Sequence, residues 1–321
     1  MELTKAIDGF ILDFQAGGKS LGTAKLYRLA LDSLARFLDY PTLESIKADD
    51  LKRYFLWLRT EYKPYRPGGD TRPLSESAID NHWKAIRSFW GWAAGALGSS
   101  RPDLSLQRAK FQTPVITPFS ESELKALLQA CEYSREYHNP KSPKAYRTRR
   151  PTAVRDSALV LFLLDTGLRV SEVSRLNIRH IDLTTGAVTV TPHGSGQKTK
   201  PRIVYLGKSA RRALWRYLAG REEAGPGEPL FITQEGGRLG ENQIRHLLQY
   251  LGERAGVKEC HPHRFRHTMA IEFIRNRGDV YSLQRILGHS TLSMCLRYLD
   301  LSRDDVAEAF KRASPVDNWR L

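Results

Sequence analysis

The apolar pattern of a helical chain is interrupted for one long stretch, between residues 98 and 117. Gly98-Ser99-Ser100 opens this stretch, and two prolines lie within it. Glycine and proline both disfavour the continuation of a helix, so the stretch is predicted to be a linker. A single hydrophobic core stops growing near about 250 to 300 residues. A chain of 321 residues with this interruption is therefore expected to fold as two domains, at residues 1–97 and 118–321.

The first domain is predicted to consist of four helices. Leu51, Tyr54 and Leu58 recur at the three- and four-residue spacing of a buried helical face. Ser75 is placed at the start of the last helix, where Glu76 complements the positive helix end. The predicted helices span residues 3–16, 20–38, 46–62 and 75–96.

The second domain combines helix signals with one short β-hairpin. Ser120 and Glu123 match a capping box at the start of a helix. Val188 and Val190 alternate with threonines, so residues 186–206 are predicted to form a hairpin with a basic tip. Further helices are predicted at residues 158–164, 208–220, 241–255, 264–277 and 280–287. The fold class is therefore mainly α with a small β-hairpin.

Charge and composition limit the classes of partner. Lysines and arginines number 50 against 35 acids, a net charge of +15, which favours a polyanionic partner such as nucleic acid. No run approaches the roughly 18 apolar residues of a membrane span, and the start does not match a signal peptide. We therefore expect a soluble, cytoplasmic protein at the nucleoid, with no membrane partner. The widely spaced Cys131, Cys260 and Cys295 predict neither a disulfide framework nor a zinc pair, but buried thiols.

Arginines and a tyrosine in the second domain suggest chemistry on a phosphodiester. The phenol of Tyr298, with a pKa of about 10, is a poor nucleophile unless nearby cations stabilise its charge. His263 and Arg266 lie three residues apart at a predicted helix start, where the arginine could grip two phosphate oxygens. Arg169 could supply a second guanidinium, oriented by Glu172. Salt-bridged arginines and an exposed helical ion pair are the plain structural alternatives.

Two histidines and two lysines could handle protons. His263 and His289 are candidates for phosphate hydrogen bonding and proton transfer, although a lone histidine is usually structural. The leaving oxygen also needs a proton, which Lys198 or Lys200 on the hairpin tip could deliver; solvated lysines are the alternative. Two guanidiniums could neutralise the charge that metal ions neutralise elsewhere, so neither a metal nor another cofactor is expected.

These motifs together resemble the tyrosine recombinase family of phage integrases and Xer-like proteins, over nearly the whole chain. Thr166-Gly-Leu-Arg-Val-Ser-Glu172 looks like the motif of the family's first arginine. The likeness places a catalytic arginine at Arg169 and a supporting acid at Glu172.

The C-terminal motifs extend this resemblance. His263-Arg-Phe-Arg-His267 is similar to the family's His-x-x-Arg-His box, which makes His263 and Arg266 catalytic and His267 supporting. Leu287-Gly-His289 and Tyr298, nine residues later, resemble the final histidine and the nucleophile.

The resemblance implies a fold and an activity. The first domain is similar to a four-helix, SAM-like core-binding domain, and the second to an α+β catalytic domain that closes a clamp around double-stranded DNA at a specific site. Tyr298 would form a 3′-phosphotyrosyl bond, and strands would be exchanged through a Holliday junction without ATP or metal. The implied assembly is a tetramer of this chain, or one shared with a related recombinase subunit. A helix at residues 302–313 would dock on a neighbouring protomer or on its own domain.

Two regions depart from the family pattern. Ser195 takes the place of the usual lysine at the hairpin tip, so Lys198 is the preferred general acid and Lys200 the second choice, otherwise a DNA contact. The basic stretch at residues 133–155 is longer than usual. Its arginines are predicted to contact DNA, with a solvated loop as the alternative: Arg147, Arg149 and Arg150.

Two other functions fit parts of the sequence. A type IB topoisomerase shares the tyrosine chemistry but reseals a single duplex. A DNA-binding regulator on the same scaffold would be expected to have lost a catalytic residue, and none is lost here. The sequence fits both integration or excision of a mobile element and Xer-type resolution of chromosome dimers.

Overall fold

The computed structural model describes residues 1–64, 72–110, 117–134, 147–192, 201–221, 223–289, 291–292, 295–296, 298, 314 and 316. Within these ranges the chain forms two compact units, one before and one after the segment near residue 115. None of the helices in the described ranges combines the length and the apolar character needed to cross a membrane.

The N-terminal unit consists of four helices around an aromatic-rich core. Tyr54, Phe89 and Trp90 are buried at its centre. Ser75 caps the last helix by accepting a hydrogen bond from the Ala78 amide at 3.3 Å. The four predicted helices are confirmed, with ends that differ by at most two residues: α1 (Leu3–Ala16), α2 (Leu21–Phe37), α3 (Ala48–Thr60) and α4 (Glu76–Leu97).

The C-terminal unit is mainly helical as well. Its helices are α5 (Glu121–Glu132), α6 (Ala153–Thr166), α7 (Val170–Val173), α8 (Lys208–Ala219), α9 (Glu241–Ala255), α10 (Pro262–Arg275) and α11 (Val280–Leu287). The capping box at α5 is confirmed: Ser120 Oγ accepts from the Glu123 amide at 3.2 Å, and the Glu123 carboxylate accepts from the Ser120 amide at 2.8 Å.

The predicted hairpin is the sheet found in the described part of the chain. β1 (Ala187–Val190) pairs with the antiparallel β2 (Arg202–Tyr205), and Val190 lies opposite Arg202. Val188, Val190 and Val204 are buried. The tip, with Lys198 and Lys200, lies outside the described residues.

Helix α6 organises the core of the C-terminal unit. It packs against α5, α8 and α10, which explains why its sequence is apolar on nearly every side. Leu159, Phe162 and Leu163 are buried along it. The helix begins at Ala153, five residues before the predicted start. Its C-terminal end leads directly into the segment that carries Arg169.

The early start of α6 is explained by a buried carboxylate in its first turn. Asp156 is fully buried and pairs with Arg150 and Arg155, both at 2.8 Å. Arg150 also donates to the carbonyls of Ala130 and Cys131, at 3.3 and 3.2 Å. The guanidinium of Arg150 is thus committed to contacts inside the unit, whereas Arg147 and Arg149 are exposed.

The three cysteines are buried free thiols. Burial raises the pKa of both Cys131 and Cys260 to about 12. The prediction that the cysteines behave as small buried side chains is confirmed for these two. Cys295 has an additional contact, with the imidazole of His289.

Candidate active site

Helix α10 positions the central arginine of the site. His261 caps the helix by accepting from the Arg264 amide at 3.2 Å through Nδ1, and Pro262 fills the first helical position. Proline suits that position because its fixed φ matches the helix and no N–H is needed there. This start, two residues before the predicted one, places His263 and Arg266 on the same side of the first turn.

The guanidinium of Arg266 donates hydrogen bonds to carbonyls at the C-terminal ends of two other helices. It donates from Nη1 to the Gly167 carbonyl at 2.8 Å and from Nη2 to the Leu287 carbonyl at 2.7 Å. Gly167 ends α6 and Leu287 is the last residue of α11. Carbonyls at helix C-terminal ends carry partial negative charge and favour a cation.

Arg266 keeps its charge in this environment. Burial, followed by the charge of Arg169, lowers its pKa to about 10, so it is still protonated near neutral pH. Its third contact is His289 Nε2, at 2.9 Å. Among the residues that the structure describes, these hydrogen-bond partners are all neutral. The positive charge is therefore oriented by dipoles but not cancelled by a contacting carboxylate.

Glu172 holds two arginines together beside this site. Its carboxylate accepts from the Arg169 amide at 2.8 Å and from Arg169 Nη1 at 3.2 Å. Arg202 binds both oxygens, at 2.9 and 2.8 Å. Burial alone would raise the pKa of Glu172, but the hydrogen bonds and charge of Arg202, with those of Arg169, hold it below its ordinary value. Glu172 is buried, so the alternative of an exposed helical ion pair is wrong.

Arg202 was missed by the sequence analysis. Its side chain is 7% exposed, and Nε donates to the Ile286 carbonyl at 2.7 Å. It thus ties β2 to α11 as well as to Glu172. A signal was present: Arg202 and the buried Val204 are two residues apart on a strand and therefore share a face. A charged residue at an inward-facing strand position predicts a buried ion pair.

Arg169 is more open than its partners. It precedes α7, and its side chain is 28% exposed. Glu172 restrains its backbone and one end of its guanidinium, while the rest of the side chain stays accessible. This is the arrangement required of an arginine that binds an incoming anion.

His289 lies directly after the glycine that ends α11. Gly288 has φ +64° and so closes the helix in a left-handed conformation. His289 is buried and contacts Arg266 through Nε2 and Cys295 Sγ through Nδ1, at 2.9 and 3.2 Å. Burial, followed by the charges of Arg266 and the neighbouring arginines, lowers its pKa to about 4. The imidazole is therefore neutral near neutral pH.

Tyr298 is buried against the same group of residues. It is 5% exposed and packs in a cluster that includes Leu283, Leu287 and Cys295. Its ring centroid lies 5.5 Å from that of His267, at an interplanar angle of 55°. Its phenol is also near enough to Arg266 to raise the pKa of that guanidinium. The candidate nucleophile and the central arginine are thus neighbours.

The two remaining members of the histidine motif differ in role. His263 is exposed, yet partial desolvation of its ring, followed by nearby cations, lowers its pKa. Arg264 is buried, pairs with Glu123 at 2.9 Å and stacks over Phe119 with 4.0 Å to the ring centroid. Arg264 therefore anchors α10 to α5, whereas His263 remains open to solvent.

The structure brings most of the predicted site together. Arg169 is hydrogen-bonded to Glu172, and Arg266 to His289. The two pairs meet at α11, where Arg202 and Arg266 donate to the adjacent carbonyls of Ile286 and Leu287, and Tyr298 lies beside His267. Lys198, Lys200 and the predicted helix at residues 302–313 lie outside the described residues.

Comparison with known proteins decides the family. The sequence model of the phage integrase family matches residues 118–304, more than half of the chain. The chain belongs to the phage integrase family. The resemblance predicted from the motifs is thus confirmed. The activity class is site-specific DNA recombination by strand cleavage and religation with a tyrosine nucleophile.

One similar protein matches nearly the full length of the chain, and a more identical one matches about half of it. Tyrosine recombinase XerC of Oceanobacillus iheyensis is 29% identical over 309 residues, covering 92% of this chain and 91% of the relative. XerC of Pseudomonas fluorescens is 36% identical over 164 residues, covering 51% and 54%. The family match itself spans the motifs from Thr166 to Tyr298.

Solved structures show the same fold. The Tn1549 transposon integrase in complex with a circular intermediate DNA has a TM-score of 0.72 at 19% identity, covering 96% of this chain and 99% of that one. A lambda integrase dimer bound to a COC′ core site has a TM-score of 0.70 at 14% identity, covering 95% and 79%. The predicted fold class, mainly α with a small β-hairpin, is confirmed.

Proposed function

We propose that this recombinase cuts one strand of each DNA duplex with Tyr298, which forms a 3′-phosphotyrosyl bond and releases a 5′-hydroxyl. That hydroxyl then attacks the partner duplex, and strands are exchanged through a Holliday junction. The observation that carries the proposal is the guanidinium of Arg266, which is buried, protonated and bound only by neutral groups among the described residues. Such a charge is available to a phosphate.

The two arginines share the work of charge stabilisation. Negative charge builds on the non-bridging oxygens as the phosphorus becomes pentacoordinate, and fixed donors aimed at these oxygens lower the barrier. Arg266 is fixed by two helix ends, and Arg169 is held by Glu172, which Arg202 holds in turn. We assign Arg266 and Arg169 as phosphate ligands, and Glu172 and Arg202 as their support.

The histidines have separate roles in the proposal. His289 is neutral, so it contributes a hydrogen bond and no additional charge at the phosphate. His263 is exposed and can exchange protons with solvent, which suits a general base toward the attacking phenol. His267 packs on Tyr298 and supports the nucleophile. We assign the general acid to Lys198, with Lys200 as the second choice, because both sequence positions follow β1 on the basic hairpin tip.

The proposed partner is double-stranded DNA with a specific recombination site. The Tn1549 integrase and XerH were both solved with recombination-related DNA, and the chain itself carries a net charge of +15. We propose that residues 1–97 form a core-binding domain, 98–117 a linker and 118–321 the catalytic domain. Arg147 and Arg149 are exposed and suit phosphate contacts, whereas Arg150 fixes the base of that segment through Asp156.

The proposed active assembly is a homotetramer on DNA. The alternative is a mixed tetramer that also contains a related recombinase. We place the protein in the cytoplasm, at the nucleoid. The first candidate for the cellular task is Xer-type dimer resolution, because the match with XerC of Oceanobacillus iheyensis covers about nine tenths of both chains. Integration or excision of a mobile element is the second, on the precedent of the Tn1549 integrase. The position of the target site in the genome separates the two.

A covalent selection tests the activity and finds the site together. Nicked duplexes with a randomised segment are incubated with the full-length protein, and DNA that remains bound in SDS is recovered and sequenced. Wild type should enrich one site and form an SDS-resistant adduct with it, whereas Tyr298→Phe should form none. Tyr281→Phe, an exposed tyrosine on α11, is the matched control and should behave as wild type. An adduct of equal yield with Tyr298→Phe would remove Tyr298 as the nucleophile.

The same selected site distinguishes the other activities. A recombinase joins strands from two duplexes that each carry the site. A type IB topoisomerase would relax supercoiled DNA as a monomer without such a site, and a regulator would bind the site without forming an adduct.

A further inference from the structure

Three buried side chains are connected in a row, from Arg266 through His289 to Cys295. Arg266 Nη2 lies 2.9 Å from His289 Nε2, and His289 Nδ1 lies 3.2 Å from Cys295 Sγ. The three residues are 6%, 8% and 0% exposed, respectively. Water has little access to the imidazole, so these two contacts determine which ring nitrogen carries the hydrogen.

Arg266 determines the state of Nε2. A guanidinium only donates hydrogen bonds, so Nε2 must accept from Arg266 and carry no hydrogen. Burial, and then the charges of the nearby arginines, lower the pKa of His289 to about 4, which makes the ring neutral near neutral pH. A neutral imidazole has one N–H, and in this geometry that N–H is on Nδ1.

The sulfur of Cys295 is the group that this N–H meets. A thiol sulfur accepts a hydrogen bond, weakly, and its S–H can also donate one. Burial raises the pKa of Cys295, which keeps the thiol in its S–H form. We propose that Cys295 is a positioning residue, which accepts the Nδ1 hydrogen of His289 and so turns the Nε2 lone pair toward Arg266 in the DNA-free enzyme.

Cys295 also connects His289 to the segment that carries the nucleophile. Cys295 and Tyr298 are three residues apart in helical backbone, so they lie on the same face. Both belong to one buried cluster with Leu283 and Leu287. A shift of the imidazole is therefore coupled to the position of Tyr298 through the sulfur.

The contact between Cys295 and His289 has a second role, which rests on the proposed function. To donate to a phosphate oxygen through Nε2, the ring of His289 must lose its hydrogen at Nδ1 and gain one at Nε2, in each case by exchange with water that reaches the ring as DNA binds. The S–H of Cys295 can then donate to the bare Nδ1. The same sulfur thus serves both tautomers, which an apolar side chain at this position could not do.

The first test measures the tautomer in full-length, DNA-free protein. Nitrogen-15 NMR of histidine-labelled protein separates protonated from bare ring nitrogens, and the loss of one signal set in His289→Gln assigns the residue. We expect a hydrogen on Nδ1 and a bare Nε2. A hydrogen on Nε2 would overturn the proposal. No DNA is present, so this outcome is independent of the chemistry assigned to Tyr298.

The second test uses substitutions at the sulfur. Cys295→Ala removes the acceptor and should slow single-turnover cleavage about tenfold, the lower end of the loss that follows removal of the hydrogen-bond partner of a metal-bound histidine, with DNA affinity unchanged. Cys295→Ser keeps both a donor and an acceptor and should restore most of the rate. Cys131→Ser, at a buried thiol on α5, should leave the His289 signals and the rate unchanged.

The outcomes separate the two claims. Equal losses in Cys295→Ala and Cys295→Ser, with the wild-type tautomer in both, would show a packing role only and overturn the proposal. Absence of cleavage in the wild type would count against the proposed function, while the tautomer measurement would still decide the role of Cys295.

Discussion

Replacement of Glu172 by glutamine tests whether a buried carboxylate holds the site together. The carboxylate accepts four N–H groups, two on each oxygen. Glutamine keeps one oxygen and turns an NH₂ group toward two of these donors. The side chains of Glu172 and Arg202 are 3% and 7% exposed, so solvent cannot replace the lost partner. Removal of one member of a buried pair costs about 3–5 kcal/mol, and we expect Glu172→Gln to lower the free energy of unfolding by that amount.

A matched control uses the same substitution at the surface. Glu272 pairs with Arg275 at 2.7 Å, and both side chains are nearly half exposed. Exposed pairs contribute about 1 kcal/mol or less, so Glu272→Gln should have little effect. Stability is measured by hydrogen exchange of peptides from α6 at increasing urea concentration, which reports on the C-terminal unit alone.

A double substitution identifies the source of the loss. If the cost arises from an unpaired buried charge on Arg202, then Glu172→Gln combined with Arg202→Met should cost clearly less than the sum of the two single changes. Additive losses, or an equal effect of Glu172→Gln and Glu272→Gln, would refute the reasoning.

Three further predictions concern the site. The pKa of His289 is about 4 in the folded protein and near 6.5 when the ring is exposed, so unfolding takes up a proton between these pH values. The free energy of unfolding should therefore decrease as the pH is lowered through this window, and His289→Gln should flatten that part of the urea-derived curve. Gly288→Ala and Gly256→Ala both place an alanine in the left-handed conformation, which costs about 1–2 kcal/mol of stability. Only the Cβ at position 288 would lie close to Arg202, 3.1 Å from Nη1, so only Gly288→Ala should also slow cleavage of the selected site. A 5′-bridging phosphorothioate needs no general acid and should rescue Lys198→Ala; rescue of Lys200→Ala alone would reverse the assignment.

The helices were predictable because their signals are local. The capping box at Ser120 and the apolar spacing in α3 lie within a few residues of the elements that they specify. The start of α6 was misplaced because its first turn carries two charged residues, Arg155 and Asp156. Asp156 is buried there only because two arginines reach it, and periodicity does not report such a partner.

The site was partly predictable for a related reason. Arg169, Arg266, His289 and Tyr298 stand in short motifs, whose residues are recognisable without knowledge of their contacts. Arg202 lies outside the family motifs, and its partner Glu172 is 30 residues away in the sequence. Its position on the inward face of β2 was a usable signal. Cys295 gave no signal, because nothing in the sequence distinguishes a thiol beside an imidazole from any other buried thiol.

The contacts of Arg266 also determine when, during synthesis of the chain, the site can form. Gly167 and Leu287, whose carbonyls accept hydrogen bonds from Arg266, are 120 residues apart in the sequence. A nascent or truncated chain that ends before Leu287 contains Arg266 but lacks the Leu287 carbonyl that helps to orient it. The full set of contacts that orients Arg266 therefore forms only after Leu287 has been made, shortly before Tyr298 in the order of synthesis. An enzyme that cuts DNA strands therefore cannot orient Arg266 fully until Leu287 has been synthesised.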